Sequence, residues 1–304
     1  MCIRSNRFTR FALLLTLAAV LTVATTAAAG DISKSLRVPE AGVTQMITLS
    51  DGSTMAGQIT EVGDTTVKFK TQMGEMTLDI DKIVEIKEIA TSAIKGGRYW
   101  YPDPNRHRLF VGPTGRMLKA GQGYFSDMLI FFPSVGYGIT DNINLSAGMT
   151  IIPGIDFSKQ LFYATPKIGV SINKNLSVSG SALIIAVPQG DDDDDDDASV
   201  VGIIFSTATY GTDNAGLTVG LGFGYVDEDF ADNPVVQIGG EVRVARRLSL
   251  VTENWIFPEV DDPLVSYGLR FFGEQIAVDL AFATLLEEDP LLPGIPFVNF
   301  VYNF

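Results

Sequence analysis

Residue types that support catalysis are scarce in this sequence. The chain has one histidine, His107, and one cysteine, Cys2. Hydrolases with a nucleophilic serine or cysteine need a general base beside it, most often histidine. No phosphate-binding glycine loop, GxSxG turn or Cys/His metal spacing occurs. We therefore predict no enzyme activity and interpret His107 as a surface or interfacial residue.

Charged residues within otherwise apolar segments are the more informative group. If the alternating segments described below form a membrane barrel, their apolar positions face lipid and six charged side chains point into the lumen. They are Lys167, Glu241, Arg243, Glu253, Arg270 and Asp279. Two interpretations stay open, a salt-bridged interior that fills a narrow lumen and a constriction that selects small solutes.

Acidic residues concentrate between the segments, above all in the seven-aspartate run from Asp191 to Asp197. A block of like charge predicts a solvated, self-repelling loop. The alternative is weak binding of Ca²⁺ or Mg²⁺ by the acidic loops, because hard cations take carboxylate oxygens. No other cofactor or metal is expected.

Composition narrows the class of protein. The chain of 304 residues has a net charge of −14, from 22 basic and 36 acidic residues, and still reaches a mean hydropathy of +0.22. Nucleic acid is excluded as a partner, since phosphate binding relies on basic surface. High hydropathy together with high charge favours a membrane β-barrel.

The first 29 residues predict a signal peptide, with basic, apolar and small-residue regions in the expected order. These regions are Arg4, Arg7 and Arg10, then 11–23, then Ala27, Ala28 and Ala29. The apolar region is shorter than the ~20 residues of a spanning helix. We expect the mature chain to begin near Gly30, with residues 30–42 as a linker and no cysteine left.

Residues 43–90 predict a small β module. Five short alternating runs are separated by the turn formers Asp51-Gly52, Gly63-Asp64, Met73-Gly74 and Asp81-Lys82. The pattern resembles the SH3-like or Sm-like modules of exported bacterial proteins. Residues 91–107 follow as a linker whose Tyr99, Trp100 and Tyr101 are interpreted either as an interfacial belt or as a packed connector.

Residues 108–304 predict an antiparallel barrel with about twelve strands of the length that a tilted membrane strand needs. The predicted strands are 106–113, 123–138, 142–152, 161–172, 175–187, 199–210, 214–226, 234–245, 247–257, 264–272, 275–285 and 295–304. Two of them, 123–138 and 199–210, alternate poorly. The connections between successive strands alternate between tight turns and longer loops, which indicates that the turns lie on the periplasmic side and the loops outside. The last strand is expected to close the barrel against 108–113.

The run from Pro102 to Tyr124, followed by Tyr137-Gly138-Ile139-Thr140-Asp141-Asn142, resembles a group of uncharacterised outer-membrane β-barrel proteins with an amino-terminal SH3-like module. The resemblance implies a fold and a location and no activity. It also implies that the aromatic end of the chain, Phe300, Tyr302 and Phe304, is part of the signal read by the barrel assembly machinery.

The expected fold is therefore all-β, an antiparallel transmembrane barrel preceded by a small SH3-like barrel in the periplasm. The predicted function is a structural role in the bacterial outer membrane or the passage of small solutes through a narrow lumen. The alternative is a membrane-anchored binding or assembly protein that acts through its periplasmic module. Expected partners are outer-membrane lipid, the assembly machinery and a periplasmic protein, with the chain itself a monomer.

Overall fold

The computed structural model describes residues 36–96, 98–188, 199–227, 229–258, 260–287 and 289–304. The predicted signal peptide and the seven-aspartate run lie outside the described residues. Within them the chain is all-β, with three short 3-10 helices at Ile80–Lys82, Thr91–Ala93 and Phe157–Lys159. No helix in the described ranges is long and apolar enough to cross a membrane. The chain divides into two compact units, Met1–Trp100 and Tyr101–Phe304.

The first unit contains the five strands predicted between residues 43 and 90. They are β1 (Val43–Leu49), β2 (Thr54–Val62), β3 (Thr66–Thr71), β4 (Gly74–Asp79) and β5 (Ile83–Ala90), followed by the short hairpin of β6 (Ile94–Lys95) and β7 (Arg98–Tyr99). The five strands form one antiparallel sheet in the order β4-β3-β2-β1-β5. This order leaves β4 and β5 at its edges.

The core of the first unit is made by inward positions of these strands, led by Ile47, Ile59, Val67 and Phe69, none of which is exposed. Period-two alternation places these side chains on one face of the sheet. Gly57 is required where the sheet folds over this core. A Cβ at that position would lie 2.9 Å from the Phe69 ring and closer still to the backbone oxygen of Lys70.

The second unit is a closed antiparallel barrel of twelve strands. These are β8 (Gly123–Met128), β9 (Phe132–Thr140), β10 (Ile143–Met149), β11 (Phe162–Ser171), β12 (Leu176–Val187), β13 (Ser199–Gly211), β14 (Ala215–Val226), β16 (Val235–Ala245), β17 (Leu248–Ile256), β18 (Leu264–Phe272), β19 (Ile276–Leu285) and β20 (Ile295–Asn303), with β15 (Asp229–Phe230) a short extension beside β14. Each barrel strand pairs with two neighbours. The pairing of β8 with β20 joins the first strand to the last and closes the sheet.

The outside of the barrel is apolar. On β14 the outward positions Leu217, Val219, Leu221 and Phe223 are exposed, while the alternate position Thr218 is buried inside. The same pattern holds on the other long strands, so large apolar side chains cover the exterior. A closed sheet with such a surface satisfies every ladder hydrogen bond without water, which is the condition for crossing a bilayer with strands. The predicted fold class, an all-β chain with a twelve-stranded antiparallel barrel preceded by a small separate sheet, is confirmed.

The count of twelve is right, but two of the predicted strands are wrong. Residues 106–113 form no barrel strand, and their only ladder contact is an isolated bridge between Arg108 and Pro113. The predicted strand 123–138 is instead two strands, β8 and β9, separated by a turn in which Leu129 and Ile130 adopt positive φ angles of 57° and 68°. The ten strands predicted from residue 142 onward are present.

The closing strand β20 therefore has a different partner from the one expected. It pairs with β8, in a register that sets Phe300 opposite Asp127 and Tyr302 opposite Phe125. Its Val298, Phe300, Tyr302 and Phe304 are exposed on the outside of the barrel, as predicted.

The barrel has two distinct ends. The backbone N–H of Gly123 donates to the Phe304 oxygen at 2.8 Å, so β8 begins where β20 finishes. The tight turns at 141–142, 173–175, 212–214, 246–247 and 273–275 lie at this same end, which we name the turn end. The longer connections lie at the opposite end, named the loop end.

Candidate functional site: the occupied lumen

The segment Tyr101–Gln122, which we name the luminal segment, lies inside the barrel. Leu109 and Phe110 within it are each 1% exposed. They pack against Val251 and Ala281, which point inward from β17 and β19. The Phe110 ring also meets Phe297 of β20 edge-on, with 5.3 Å between the ring centroids. The residues predicted as the first barrel strand thus lie inside the lumen and fill part of it.

Both ends of the luminal segment lie at the turn end. At its start, the Arg243 Nη1 donates to the Tyr101 oxygen at 2.9 Å, and the Tyr101 hydroxyl donates to the Phe272 oxygen at the end of β18. At its finish, the backbone N–H of Gly138 donates to the Gln122 oxygen at 2.8 Å. The segment enters the lumen and returns on the same side, so it closes the turn-end half.

Arg270 of β18 is the centre of the contacts that hold the segment, and its side chain is fully buried. Its Nε donates to the Asp279 Oδ1 at 2.6 Å, and its Nη1 lies 3.3 Å from the Asp103 Oδ2. The Nη2 donates to the backbone oxygen of Leu109. A planar guanidinium with five N–H donors can donate hydrogen bonds to a barrel strand and to the luminal segment at the same time.

Glu253 of β17 holds the deepest turn of the segment. Its carboxylate accepts from three successive backbone N–H groups, those of Phe110 at 2.8 Å, Val111 at 3.0 Å and Gly112 at 3.1 Å. It also accepts from the Trp255 Nε1 at 2.8 Å. A buried carboxylate is tolerated because these four donors replace its hydration.

The other predicted luminal charges also contact the segment. Lys167 donates from its Nζ to the backbone oxygens of His107 at 3.1 Å and Arg116 at 2.6 Å. Glu241 forms an ion pair with the Arg116 side chain. With Arg243, Glu253 and Arg270, five of the six predicted residues touch the segment, and Asp279 reaches it through Arg270. The sequence indicated inward charges without showing that a part of the same chain is their partner.

His107 differs from its prediction as a surface or interfacial residue. It is 9% exposed, and its ring stacks on Tyr124 with 4.7 Å between centroids. Neither ring nitrogen has a hydrogen-bond partner in the described part of the chain. The prediction was wrong because it placed this residue in a linker outside the barrel, whereas the linker's last residues turn into the lumen.

Beyond the luminal segment, a cavity of about 350 Å³ lies in the loop-end half of the lumen. His107, Arg108 and Lys167 lie at its floor. Its walls are mainly apolar and include Ile203 and Phe205 of β13. Sequence reasoning missed this cavity, although the signal was present. The segment 199–210 alternates poorly because its loop-end half is apolar on both faces, one toward lipid and one toward the cavity.

Metal binding at the acidic loops stays a prediction, because the run Asp191–Asp197 lies outside the described residues. Across the ranges that the structure does describe, no group of three or more His, Cys, Asp or Glu side chains is arranged to hold a metal ion.

Fold and site together define the class of protein, a transmembrane β-barrel of the outer-membrane type with its own chain folded into the lumen. No protein-family model matches the sequence, and no curated protein matches it.

Several solved outer-membrane barrels match this chain at low sequence identity. The KdgM porin, solved in complex with disordered oligogalacturonate, is 5% identical over 60% of this chain and 95% of its own, with a TM-score of 0.41. Omp33 of Acinetobacter baumannii is 11% identical over 60% and 95%, with a TM-score of 0.34. OmpT, an outer membrane protein of Vibrio cholerae, is 12% identical over 86% and 95%, with a TM-score of 0.30. These scores lie below 0.5, so the evidence for a barrel fold is the strand pairing of this chain and not its likeness to these structures.

Proposed function

We propose that this protein is a porin-like barrel of the bacterial outer membrane that passes a small solute through a narrow, gated lumen. The observation that carries the proposal is the division of the lumen into a loop-end cavity and a turn-end half closed by the luminal segment. A solute that enters from the loop end meets a cavity first and a gate second. In the proposed orientation the loop end faces outward and the turn end faces the periplasm.

The luminal segment suits a gate because polar contacts at its edges hold it. Arg106 pairs with Asp213 in the turn between β13 and β14, and that carboxylate side chain is 69% exposed. Arg116 pairs with Glu241 and also donates to the Thr212 oxygen at 2.8 Å. The Arg106–Asp213 pair lies near water and contributes little net stability, so this contact can be exchanged for hydration at small cost. The Arg116–Glu241 pair is largely buried and holds the segment more firmly. Passage requires the segment to move, since Leu109 and Phe110 fill the lumen.

Planar-bilayer conductance tests the gate. The double variant Arg106→Ala/Arg116→Ala removes both edge contacts without altering a barrel strand. We expect rare or small events from the unaltered protein and frequent, larger discrete events from the variant. The control is Lys119→Ala, which removes a base of the same segment whose side chain is exposed and makes no ion pair within the described residues. An absence of discrete events from the unaltered protein and the double variant alike would exclude a pore.

A second candidate function, partner binding through the first unit, is favoured by the open edges of its sheet. Strands β4 and β5 each pair on one side only in the described ranges. An unpaired edge can accept a strand from another protein, which would make a periplasmic protein the partner. Deleting residues 43–90 separates the two functions. Transport predicts unchanged permeability of the deleted form, whereas anchoring predicts loss of a co-purifying partner.

A further inference from the structure

We propose that the loop-end cavity is a binding site for a small anionic amphiphile, a molecule with one acidic head group and a single apolar chain or ring. This ligand class deepens the proposed function, because it names what the porin-like lumen would take up. Three properties of the cavity carry the proposal, namely the charge of its floor, the apolar character of its walls and its size.

The floor contains two cations without a carboxylate partner. Arg108 donates to the Asn105 Oδ1 and the Ser126 Oγ, each at 3.2 Å, while its Nη2 is buried without a hydrogen-bond partner among the described residues. Lys167 is 7% exposed and donates to backbone oxygens alone. In the described ranges no carboxylate oxygen lies within 4.0 Å of either cation.

Elsewhere in the lumen, buried arginines are neutralised. Arg270 meets Asp279 and Asp103, and Arg116 meets Glu241. Burying a charge without a partner is costly. An arginine that lines a cavity with one N–H group unpartnered, together with a lysine that has no counterion among the described residues, therefore indicates that an anionic group completes the floor.

His107 adds a second, independent sign of a ligand at this floor. More than nine-tenths of its surface is buried, it lines the cavity, and neither ring nitrogen has a partner in the described part of the chain. Buried polar atoms are normally satisfied, so unsatisfied ones in a residue that lines a cavity point to a missing polar group. A carboxylate that bridges Arg108 and His107 supplies acceptors for both side chains.

The apolar walls of the cavity indicate that the same ligand also has an apolar chain or ring. Leu183, Ile203, Phe205, Met128, Phe132 and Trp255 line the upper part of the cavity. The interior of an outer-membrane barrel is ordinarily polar, and a hydrated sugar or inorganic ion would lose hydration against these side chains without compensation. An alkyl chain or aromatic ring would instead bury apolar surface there, which is favourable.

The size of the cavity limits the ligand to one chain or ring. Its volume of about 350 Å³ lies at the lower end of the range for ligand pockets, which runs from roughly 300 to 1,000 Å³. A lipid with two acyl chains is too large for this space. The geometry points to a single-chain or single-ring acid.

Trp255 provides the test, since the chain has two tryptophans and the other is Trp100. In a Trp100→Phe background, Trp255 is the only tryptophan, and brominated dodecanoate quenches its fluorescence on contact. The protein is held in lipid nanodiscs, and brominated dodecanol is the uncharged comparator. We expect saturable quenching by the acid and far weaker quenching by the alcohol. Competition by unlabelled dodecanoate and by naphthoate distinguishes a chain from a ring.

Arg108→Gln should weaken binding of the acid about tenfold, the effect of losing one charge-assisted hydrogen bond. The matched control Lys119→Gln removes the same charge from the same segment outside the cavity and should leave binding unchanged. Should Arg108→Gln fail to form a heat-modifiable barrel on gels, Ile203→Phe takes its place. That variant fills the cavity from β13 and should also abolish saturable quenching.

Non-saturable quenching of equal size for acid and alcohol, unchanged by Arg108→Gln or Ile203→Phe, would overturn the inference, because it would show partition into the bilayer alone. The result of this binding test can be distinguished from the result of the conductance test of the proposed function. Saturable binding without conductance would support the proposed ligand class and contradict the proposed pore. Conductance without saturable binding would support the proposed pore and contradict the proposed ligand class.

Discussion

Arg270 and Asp279 form an ion pair inside the barrel in which neither side chain has any exposed surface, with 2.6 Å between the Arg270 Nε and the Asp279 Oδ1. The two residues are direct cross-strand partners on β18 and β19. Asp279 also accepts from the Asn299 Nδ2 at 3.2 Å, which links the pair to the closing strand β20. The same arginine donates to the luminal segment, so one buried pair joins barrel closure to the occupied lumen.

Breaking this pair should destabilise the barrel strongly. Arg270→Gln leaves Asp279 and Asp103 buried without their cation, and removal of one partner of a buried pair costs about 3–5 kcal/mol. Asp279→Asn should cost less, since Arg270 keeps Asp103. The free energy of unfolding in urea, measured in lipid vesicles, reports both effects. The control Asp213→Asn, in a pair with an exposed carboxylate, should cost less than about 1 kcal/mol. Equal losses for Asp213→Asn and Arg270→Gln would contradict the structure.

Glu253 should control the deepest turn of the luminal segment. Glu253→Gln replaces one acceptor oxygen by an NH₂ group that faces the N–H donors of Phe110, Val111 and Gly112. Leaving such donors unsatisfied costs about 1–3 kcal/mol, so these amides should exchange hydrogen at least about tenfold faster. Exchange measured by NMR or mass spectrometry checks this, with Glu287→Gln in an exposed loop as the matched control. Unchanged protection of the three amides would remove Glu253 from this role.

Gly115 should be needed for the luminal segment to seat. A Cβ on this residue would lie 2.9 Å from the Thr209 backbone nitrogen and closer still to the Ser177 carbonyl oxygen, and neither backbone group can move aside. We expect Gly115→Ala to form the barrel but to expose the segment, so that trypsin cleaves after Arg116 several-fold faster. Gly180→Ala is the control, because a Cβ there meets nothing within 4 Å. Equal cleavage of both variants would count against the tight seating.

The carboxy-terminal Phe304 should contribute to assembly in two separable ways. Its backbone N–H and oxygen pair with Gly123, at 2.9 and 2.8 Å, and extend the contact that closes the barrel. Deletion of Phe304 removes these hydrogen bonds together with the aromatic ring, so folded barrel should decrease in cells and in refolding from urea. The first unit should stay folded.

Phe304→Ala keeps the backbone pair and removes the ring alone. If the ring is the signal read by the assembly machinery, this variant should refold normally in vitro and give less barrel in membranes. Heat-modifiable migration on gels measures the folded fraction in both settings. Normal membrane yield after deletion of Phe304 would contradict both roles.

The sequence by itself determined the fold class, the number of barrel strands and the ten strands from residue 142 onward. Alternation has a period of two along a strand, so Leu217 and Thr218 reveal their opposite faces without knowledge of any other strand. The same local signal places Phe300 and Tyr302 on the lipid side of the last strand and Lys167, Glu253 and Arg270 inside. Turn formers between the strands supplied the two ends of the barrel.

Only the tertiary structure decided what fills the lumen. Arg108, Leu109 and Phe110 resemble a short strand locally, yet their partners Ser126, Val251, Glu253 and Arg270 lie up to 162 residues away. An apolar side chain is buried equally well against lipid or in a lumen, so local pattern cannot distinguish the two. The distinction depends on which distant carboxylates, guanidinium groups and carbonyl oxygens meet the segment's backbone, and those contacts exist only once the barrel has closed around it.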